Sequence, residues 1–222
     1  MQTKARWVAV AAAALITLGF SGCSSSNGSS TSATSSLAPT ASAQSYTTRA
    51  FAIPLTIMVL TAFKAEPNSD TKTFLTWYTG SQNMNAEFHR VRFLLPVMLY
   101  RPGRTLPEVP PKDYLTYLRG LSPQSATLAD EKKITVDGRS ATLVTGTTEQ
   151  HLNGVLGCPQ TERGPDPGED CYGLQPEAAI RIAVIDVSGR TLVAWASTNV
   201  GASDVPAFFA EFEAMLQSVK FR

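Results

Sequence analysis

The sequence predicts an α+β domain, a mostly antiparallel β-sheet covered by helices, with a long amphipathic helix at its C-terminal end. Three observations lead to this prediction: short apolar runs with strand periodicity, two pairs of strands joined by turn signals, and helical patterns that do not alternate regularly with the strands. The chain has 222 residues, of which 43% are hydrophobic and 17% charged. This length is enough for one domain with tails.

Apolar alternation predicts three strands in the first half of the domain. Residues 51–59 and 91–100 alternate with the period of a strand, and residues 74–79 are a shorter candidate. Pro54 and Pro96 interrupt the two longer runs, and a proline cannot donate a hydrogen bond to a sheet. We therefore expect the first run to lie at an edge or begin late, and the second to lie at an edge or contain a bulge.

A short helix is predicted over residues 110–120. Prolines stand at its start, Leu115 and Leu118 share one face, and Gly120 is a stop signal. This helix follows three predicted strands, so helices and strands do not alternate regularly along the chain.

Two hairpins are predicted after this helix. The first turns at Asp137-Gly138, because both residues tolerate the positive φ of a two-residue hairpin turn. The second turns near Ser188-Gly189. Residues 180–187 are apolar on nearly both faces, which indicates a central strand.

The C-terminal region is predicted to form an amphipathic helix that packs on the sheet. Ser203 or Asp204 can cap it, and Pro206 falls early in its first turn. Its apolar residues recur at helical spacing and are Phe208, Phe209, Phe212, Met215, Leu216 and Val219.

The first 22 residues have the features of a signal peptide. Two basic residues precede an uncharged apolar run over residues 7–20, and a small pair follows directly before Cys23. The run is shorter than the roughly 20 apolar residues of a membrane span. This combination resembles the bacterial lipoproteins, and the resemblance implies that residues 1–22 are removed and that Cys23 carries a lipid. An ordinary secretory signal followed by a chance cysteine is the alternative.

The segment after the predicted signal is expected to be a tether. Residues 23–48 comprise the lipidated Cys23 and an uncharged Ser/Thr-rich stretch, which cannot bury enough apolar surface to become ordered. Such a spacer is similar to those of mycobacterial and related actinobacterial lipoproteins. We therefore expect residues 49–222 to form a single α+β domain, held by the membrane-inserted lipid at the outer face of the cytoplasmic membrane.

The order of the predicted elements carries a second resemblance. The later hairpins followed by a Phe-rich final helix resemble the PsbP/Mog1-type fold over roughly residues 50–222. This resemblance implies a fold and no functional residues.

Cys158 and Cys171 are predicted to form a disulfide. They are the two thiols left once Cys23 is lipidated, and an exported protein meets an oxidising environment. Two alternatives are weaker. The two cysteines do not have the C-x-x-C spacing of redox-active pairs, and a zinc site would find only one histidine nearby, His151.

The acidic loop between these cysteines is a candidate calcium site. Asp166, Glu169 and Asp170 offer oxygen atoms, but the spacing of a calcium-binding loop is missing. We therefore expect a solvated loop, no metal site and no cofactor.

Arginines gather around the third predicted strand. Arg90, Arg92, Arg101 and Arg104 could contact anionic head groups or an acidic partner, or simply be surface arginines. His89 stands beside them, and we expect it to be exposed or hydrogen-bonded, because the sequence places no nucleophile with it.

These features favour a non-enzymatic cell-envelope lipoprotein whose domain binds a partner protein or supports an envelope complex. The chain has 19 basic and 18 acidic residues, and this near-neutral charge argues against binding nucleic acid. The sequence contains none of the common catalytic motifs, so we predict no enzyme activity. The alternatives are a carrier of an apolar or amphipathic molecule and, third, an envelope hydrolase. Trp77 and Trp195 are expected in the core, although either could line a pocket, and the sequence does not identify ligand-binding residues.

Overall fold

A computed structural model describes residues 44–79, 88–122, 126–160 and 171–222. The strands are β1 (Gln44–Thr47), β2 (Leu55–Val59), β3 (Ser69–Asp70), β4 (Phe74–Thr79), β5 (His89–Leu94), β6 (Ala126–Val136), β7 (Arg139–Thr148), β8 (Leu152–Gly157), β9 (Tyr172–Leu174), β10 (Ala178–Val187), β11 (Arg190–Asn199) and β12 (Lys220–Phe221). The helices are α1 (Tyr114–Arg119) and α2 (Val205–Gln217). The predicted signal peptide, Cys23, the tether as far as residue 43, and the acidic loop of residues 161–170 lie outside the described residues.

A seven-stranded sheet is the centre of the described fold. Its strand order is β3-β4-β5-β11-β10-β7-β6, and each pair of neighbours is antiparallel. A three-stranded sheet has the order β1-β2-β12, and β8 pairs with β9. The predicted class, a mostly antiparallel fold with helices, is confirmed, with two short helices in the described residues.

Both predicted hairpin turns are confirmed. Asp137 and Gly138 have φ of 48° and 77°, and Ser188 and Gly189 have φ of 56° and 78°. Positive φ at both central residues matches the right-handed twist of the flanking strands. The central position of β10 is also confirmed, because this strand lies between β7 and β11.

Each of the two proline-interrupted runs forms a strand that excludes its proline. β2 begins at Leu55, after Pro54, so the prediction that this strand begins late is confirmed, and it lies in the middle of its sheet. β5 ends at Leu94, before Pro96, and is also internal, between β4 and β11. Each strand avoids its proline, because an internal strand needs N–H donors on both sides.

The predicted end of the tether is wrong. Gln44–Thr47 form β1 and pair with β2, so the last residues of the segment 23–48 belong to the folded domain. Tyr46 is the cause, because its ring is only 5% exposed, packs edge-on against Trp77, and its hydroxyl donates to Asp70 Oδ2 at 2.8 Å. A single aromatic residue in a polar stretch gives almost no periodic signal.

Both helices differ in extent from the predictions. α1 starts only at Tyr114, where the Asp113 carboxylate accepts a hydrogen bond from Thr116 N at 2.9 Å and caps the helix. The C-terminal helix, predicted to be long, spans 13 residues. It ends at Gln217, and the hydroxyl of the next residue, Ser218, accepts a hydrogen bond from Met58 N at 2.9 Å. The chain then turns to pair β12 with β2.

Each face of the seven-stranded sheet packs into its own apolar cluster. On one face the sheet packs with α2 and the three-stranded sheet, and Phe93, Ala194 and Phe212 belong to this cluster. The other face packs with α1, β8 and β9, and it includes Leu94 and Trp195. Neighbouring residues of one strand therefore lie in different clusters, as the two-residue period of a strand requires. Neither helix of the described chain has the length and apolar character needed to cross a membrane.

Candidate functional site

Arg90 and Arg92 lie on the same face of β5, two residues apart in the strand. Strand pairing places Arg92 between Thr76 of β4 and Trp195 of β11. The sheet therefore presents two guanidinium groups side by side, on the face that carries α1, β8 and β9.

Aromatic rings enclose the Arg92 guanidinium. Its central carbon lies 4.6 Å from the ring centroid of Tyr172 and 5.9 Å from that of Trp195. Tyr172 in turn stacks on Phe74, with the centroids 4.7 Å apart and the planes 12° from parallel. Ring faces attract a cation, so this arrangement partly compensates the buried charge.

No carboxylate neutralises these two arginines among the described residues. The ion pairs of this part of the chain include neither Arg90 nor Arg92. Arg92 Nε and the facing Thr76 Oγ1 are buried and have no hydrogen-bond partner within the described segments. A buried polar donor without a partner lowers the stability of the folded state. A ligand that accepts a hydrogen bond from it is one explanation for such a donor.

Burial also shifts the pKa values of Arg90 and Arg92. Burial is the main cause that lowers the pKa of Arg92 to about 10; Tyr172 opposes this shift, and the nearby charge of Arg90 contributes to it. Burial likewise lowers the pKa of Arg90. Arg92 is still protonated at neutral pH, so the site keeps its positive charge.

A cavity of about 100 Å³ lies beside these side chains. We call this cavity the arginine pocket; its lining residues include Arg90, Arg92, Trp195, Ser197, Gln175 and Glu177. The volume suits a single carboxylate or phosphate group and is well below the roughly 300–1,000 Å³ of drug-sized ligand sites. Glu177 lines the pocket without forming an ion pair with either arginine in the described residues.

The predicted disulfide is present and fixes the aromatic wall of the pocket. Cys158 and Cys171 are bonded, and Tyr172 directly follows Cys171. Cys158 N donates to Met98 O at 2.7 Å, which ties the disulfide to the chain that leaves β5. The disulfide therefore holds Tyr172 over the sheet that carries Arg92.

β9 approaches β8 closely at the pocket. A Cβ atom added to Gly173 would collide with the Leu152 carbonyl oxygen. Glycine is therefore needed at this position, directly after Tyr172.

The structure divides the predicted arginine cluster. Arg101 lies beyond the end of β5, where its Nε donates to Glu108 Oε2 at 2.7 Å and its guanidinium stacks over Tyr117. Arg104 is exposed in the same loop. The chain leaves the sheet before Pro96, so these two arginines are separated from Arg90 and Arg92.

His89 lies on the opposite face from the arginine pocket. Its ring stacks on Phe208 at 4.2 Å, and its Nε2 lies 2.9 Å from Asp204 Oδ2 at the start of α2. This contact joins β5 to α2. His89 is thus neither free nor placed with a nucleophile among the described residues, consistent with the expectation of a hydrogen-bonded histidine.

The two tryptophans have different positions. Trp77 lies in the core, and its Nε1 donates to Ala65 O at 3.1 Å. Trp195 is equally buried but lines the arginine pocket. Sequence reasoning named Trp195 as a possible pocket residue and missed Tyr172, because the pairing of distant strands decides which ring meets Arg92.

The described residues contain no group of three or more histidine, cysteine or acidic side chains that could hold a metal ion. The zinc alternative for Cys158 and Cys171 is wrong, because both sulfur atoms are in the disulfide. The acidic residues of the calcium alternative lie outside the described residues.

A larger depression of about 830 Å³ lies at another part of the domain, beside α1 and the β10–β11 hairpin. It is more open to solvent than the arginine pocket. The carrier hypothesis places its cavity elsewhere, between the sheet and the last helix. There Phe212, Met215 and Leu216 are buried in the core cluster, and the carrier hypothesis stays a prediction.

The solved structures that are similar to this chain include the following three. PA94, a Pseudomonas aeruginosa protein of unknown function, has 12% identity and a TM-score of 0.42, with 81% of this chain and 98% of PA94 covered. Cyanobacterial PsbP from Synechocystis sp. PCC 6803 has 10% identity and a TM-score of 0.39, with 84% and 98% covered. The Ran-binding protein Mog1p from Saccharomyces cerevisiae has 10% identity and a TM-score of 0.40, with 81% and 96% covered.

No family model and no curated protein sequence matches the chain. PsbP and Mog1, the proteins whose fold the order of the elements resembles, are among its structural neighbours.

Proposed function

We propose that this chain is a lipid-anchored protein of the cell envelope whose domain binds an acidic segment of a partner protein in the arginine pocket. The observation that carries the proposal is the Arg92 guanidinium, which is buried between aromatic rings and has no acidic partner in the described residues. An arginine buried in this way is destabilising unless an anion completes its surroundings.

The ligand chemistry follows from the groups that line the pocket. Two adjacent guanidinium groups favour an anion, and arginine binds carboxylates through two parallel hydrogen bonds. A volume of about 100 Å³ admits one such group but not the body of a large ligand. One small anion alone binds weakly, so we infer that a larger partner presents the carboxylate and adds contacts around the pocket.

The same groups favour binding over catalysis. Arg90 and Arg92 remain protonated at neutral pH, so they hold and orient an anion but do not supply a general base. We therefore propose a non-enzymatic role, without a cofactor.

The proposed location rests on the N-terminal sequence. Residues 1–22 resemble a lipoprotein signal, and Cys23 is the proposed lipid attachment site at the outer face of the cytoplasmic membrane. Several acyl chains hold a protein durably, at about 0.8 kcal/mol per buried CH₂ group. The domain would then meet its partner close to the membrane surface.

The pocket can be tested by NMR titration of the full-length protein in micelles. The probes are a Glu-rich peptide, a Gln-rich peptide of the same length, and inorganic phosphate. We expect the Arg92 Nε–H and Trp195 indole signals to shift saturably with the Glu-rich peptide and not with the Gln-rich peptide. A stronger response to phosphate than to the Glu-rich peptide would contradict the choice of an acidic protein segment.

Matched variants separate the pocket from general charge effects. Arg92→Gln should weaken binding of the Glu-rich peptide at least tenfold. Arg119→Gln should leave it unchanged, because Arg119 is exposed and paired with Glu131 away from the pocket. Equal binding by the parent protein and Arg92→Gln would overturn the proposed function.

A further inference from the structure

The loop between β5 and α1 exposes two large apolar side chains. Leu106 and Val109 are each 76% exposed, the highest values among the large apolar residues described as exposed. They stand three residues apart, in a stretch that also contains Pro107, Pro110 and Pro111. Single exposed apolar residues are ordinary, whereas contact surfaces bring several of them together.

Backbone contacts fix the loop in this outward shape. Leu99 N donates to Glu108 O at 2.9 Å, and Glu108 N donates to Leu99 O at 2.8 Å. Arg104 N donates to Arg101 O at 3.0 Å, which closes a turn before Leu106. The prolines restrict the remaining backbone angles. Leu106 and Val109 are therefore held in solvent by the fold.

The charges around these two side chains have one predominant sign. Of the two acids between β5 and α1, Glu108 is paired with Arg101 at 2.7 Å, and Asp113 caps α1 by accepting a hydrogen bond from Thr116 N. Arg104 and Lys112 are exposed and form no ion pair in the described part of the chain. Residues 101–112 thus carry three basic side chains and one acid, and two of these cations, Arg104 and Lys112, flank the apolar tip without an ion pair in the described residues.

We propose that this loop, residues 101–112, rests on an anionic lipid bilayer, with Leu106 and Val109 in the interfacial region and Arg104 and Lys112 at the head groups. Apolar side chains flanked by cations have the composition of surface-bound membrane segments. Each basic residue near an anionic surface adds to the attraction. Charge complementarity therefore favours an anionic lipid surface over an apolar protein groove.

The test uses a fluorescent environment probe in the full-length protein, reconstituted on vesicles. Thr105→Cys places the probe next to Leu106 and leaves both apolar side chains in place. The vesicles contain either phosphatidylcholine alone or phosphatidylcholine with phosphatidylglycerol, together with nitroxide-labelled lipid as quencher. On the anionic vesicles we expect a blue-shifted emission and at least twofold quenching. A probe at Val200→Cys, which replaces another exposed apolar residue, should remain in water.

Two further variants identify the groups responsible. Leu106→Ser with Val109→Ser, in the Thr105→Cys background, should return the probe to water. Arg104→Gln with Lys112→Gln should abolish the difference between the two vesicle types. A probe at residue 105 that stays in water on anionic vesicles, while the protein sediments with them, overturns this proposal and leaves the proposed anchor intact. The outcome is also independent of the arginine pocket, since none of these substitutions lies in it.

Discussion

Arg181 Nη2 donates to Glu213 Oε1 at 2.9 Å, so an ion pair joins β10 to α2 on the face of the sheet opposite to Arg92. The Arg181 side chain is only 7% exposed, and it also donates to Asp130 O and Thr145 Oγ1. One sheet thus carries two arginines with different surroundings: Arg181 has a carboxylate and two further acceptors, whereas Arg92 has aromatic rings and no acid in the described residues.

Glu213→Gln is expected to reduce the free energy of unfolding by about 3 kcal/mol, because it leaves the buried charge of Arg181 without a counter-ion. Lys132→Met is the control. Lys132 contacts the same carboxylate at 2.9 Å but is largely exposed, so its loss should cost less than about 1 kcal/mol. Urea unfolding at neutral pH measures both, and equal losses would contradict the role given to Arg181.

The Glu213 carboxylate should also make the stability of the domain depend on pH in the acid range. Burial raises the pKa of Glu213, but the hydrogen bonds from Lys132 and Arg181 outweigh it and bring the pKa below its usual value. The folded state therefore binds fewer protons than the unfolded state between the two pKa values. The stability that the Glu213 carboxylate contributes is present above the pKa that Glu213 has in the unfolded chain. It is lost as the pH falls through the pKa of Glu213 in the folded protein. Glu213→Gln should accordingly flatten the acid limb of stability against pH.

Arg92→Met is expected to raise the free energy of unfolding, by about 1 kcal/mol, while abolishing binding of the Glu-rich peptide. The substitution removes a buried charge that has no acidic partner among the described residues, and it keeps an apolar side chain of similar length. Denaturant unfolding and the NMR titration on the same sample provide the two measurements. A loss of stability as large as that of Glu213→Gln would show that Arg92 is chiefly a structural residue.

Replacing both Cys158 and Cys171 by serine should cost about 3 kcal/mol, because the disulfide closes a loop with a sequence separation of 13. The substitution also releases the chain next to Tyr172. The Glu-rich peptide should therefore bind this variant more weakly than a variant that is equally unstable because of a change elsewhere. Binding by both variants is measured at a lower temperature, at which both are folded. Unchanged binding by the folded variant would show that the disulfide does not position Tyr172.

Alkaline pH should destabilise the domain through its buried tyrosines. Burial raises the pKa of Tyr114 and Tyr117 well above the usual 10, and their hydroxyls donate to Leu156 O at 2.9 Å and Val155 O at 3.0 Å. The stability that Tyr114 and Tyr117 contribute is complete below the pKa of tyrosine in the unfolded chain, and it is lost as the pH rises above that value. Stability should therefore fall from about pH 10 upward, and less steeply in the variant with Tyr114→Phe and Tyr117→Phe.

Cys23→Ala should leave the protein without a lipid and change its distribution. We expect the variant to keep its N-terminal segment or to leave the membrane fraction after cleavage, whereas the parent stays with the membrane. Mass spectrometry of the intact chain reports the lipid, and detergent partitioning reports the anchor. Full partitioning of a cleaved Cys23→Ala chain into detergent would contradict the proposed anchor.

Local signals predicted the parts of the fold that depend on few residues. The turn at Asp137-Gly138 and the central strand β10 follow from backbone preference and apolar pattern within a short window. β1 was missed because its pairing with β2 depends on the burial of one side chain, Tyr46. Pro54 predicted the late start of β2. The extent of β5 was not predicted, because apolar alternation continues through Pro96, whereas an internal strand cannot.

The arginine pocket could be predicted only in part. The sequence predicted only that Arg90 and Arg92 lie around the third strand, together with Arg101 and Arg104; the common face of Arg90 and Arg92 follows from their two-residue spacing once both belong to β5. Their burial depends on Tyr172, which reaches them through the Cys158–Cys171 disulfide, and on the pairing of β5 with β11. Contacts between residues so far apart in the chain leave no trace in local periodicity.

The three-stranded sheet joins the two ends of the domain, because β2 pairs with β1 on one side and with β12 on the other. Leu55 faces Phe221, so β2 acquires this partner only when a segment more than 160 residues further along the chain is available. Closing so long a loop is slow, and strands that wait for distant partners expose their edges meanwhile. During synthesis, the edge of β2 therefore stays open until Lys220 and Phe221 have been made, and removing β12 would leave that edge unpaired.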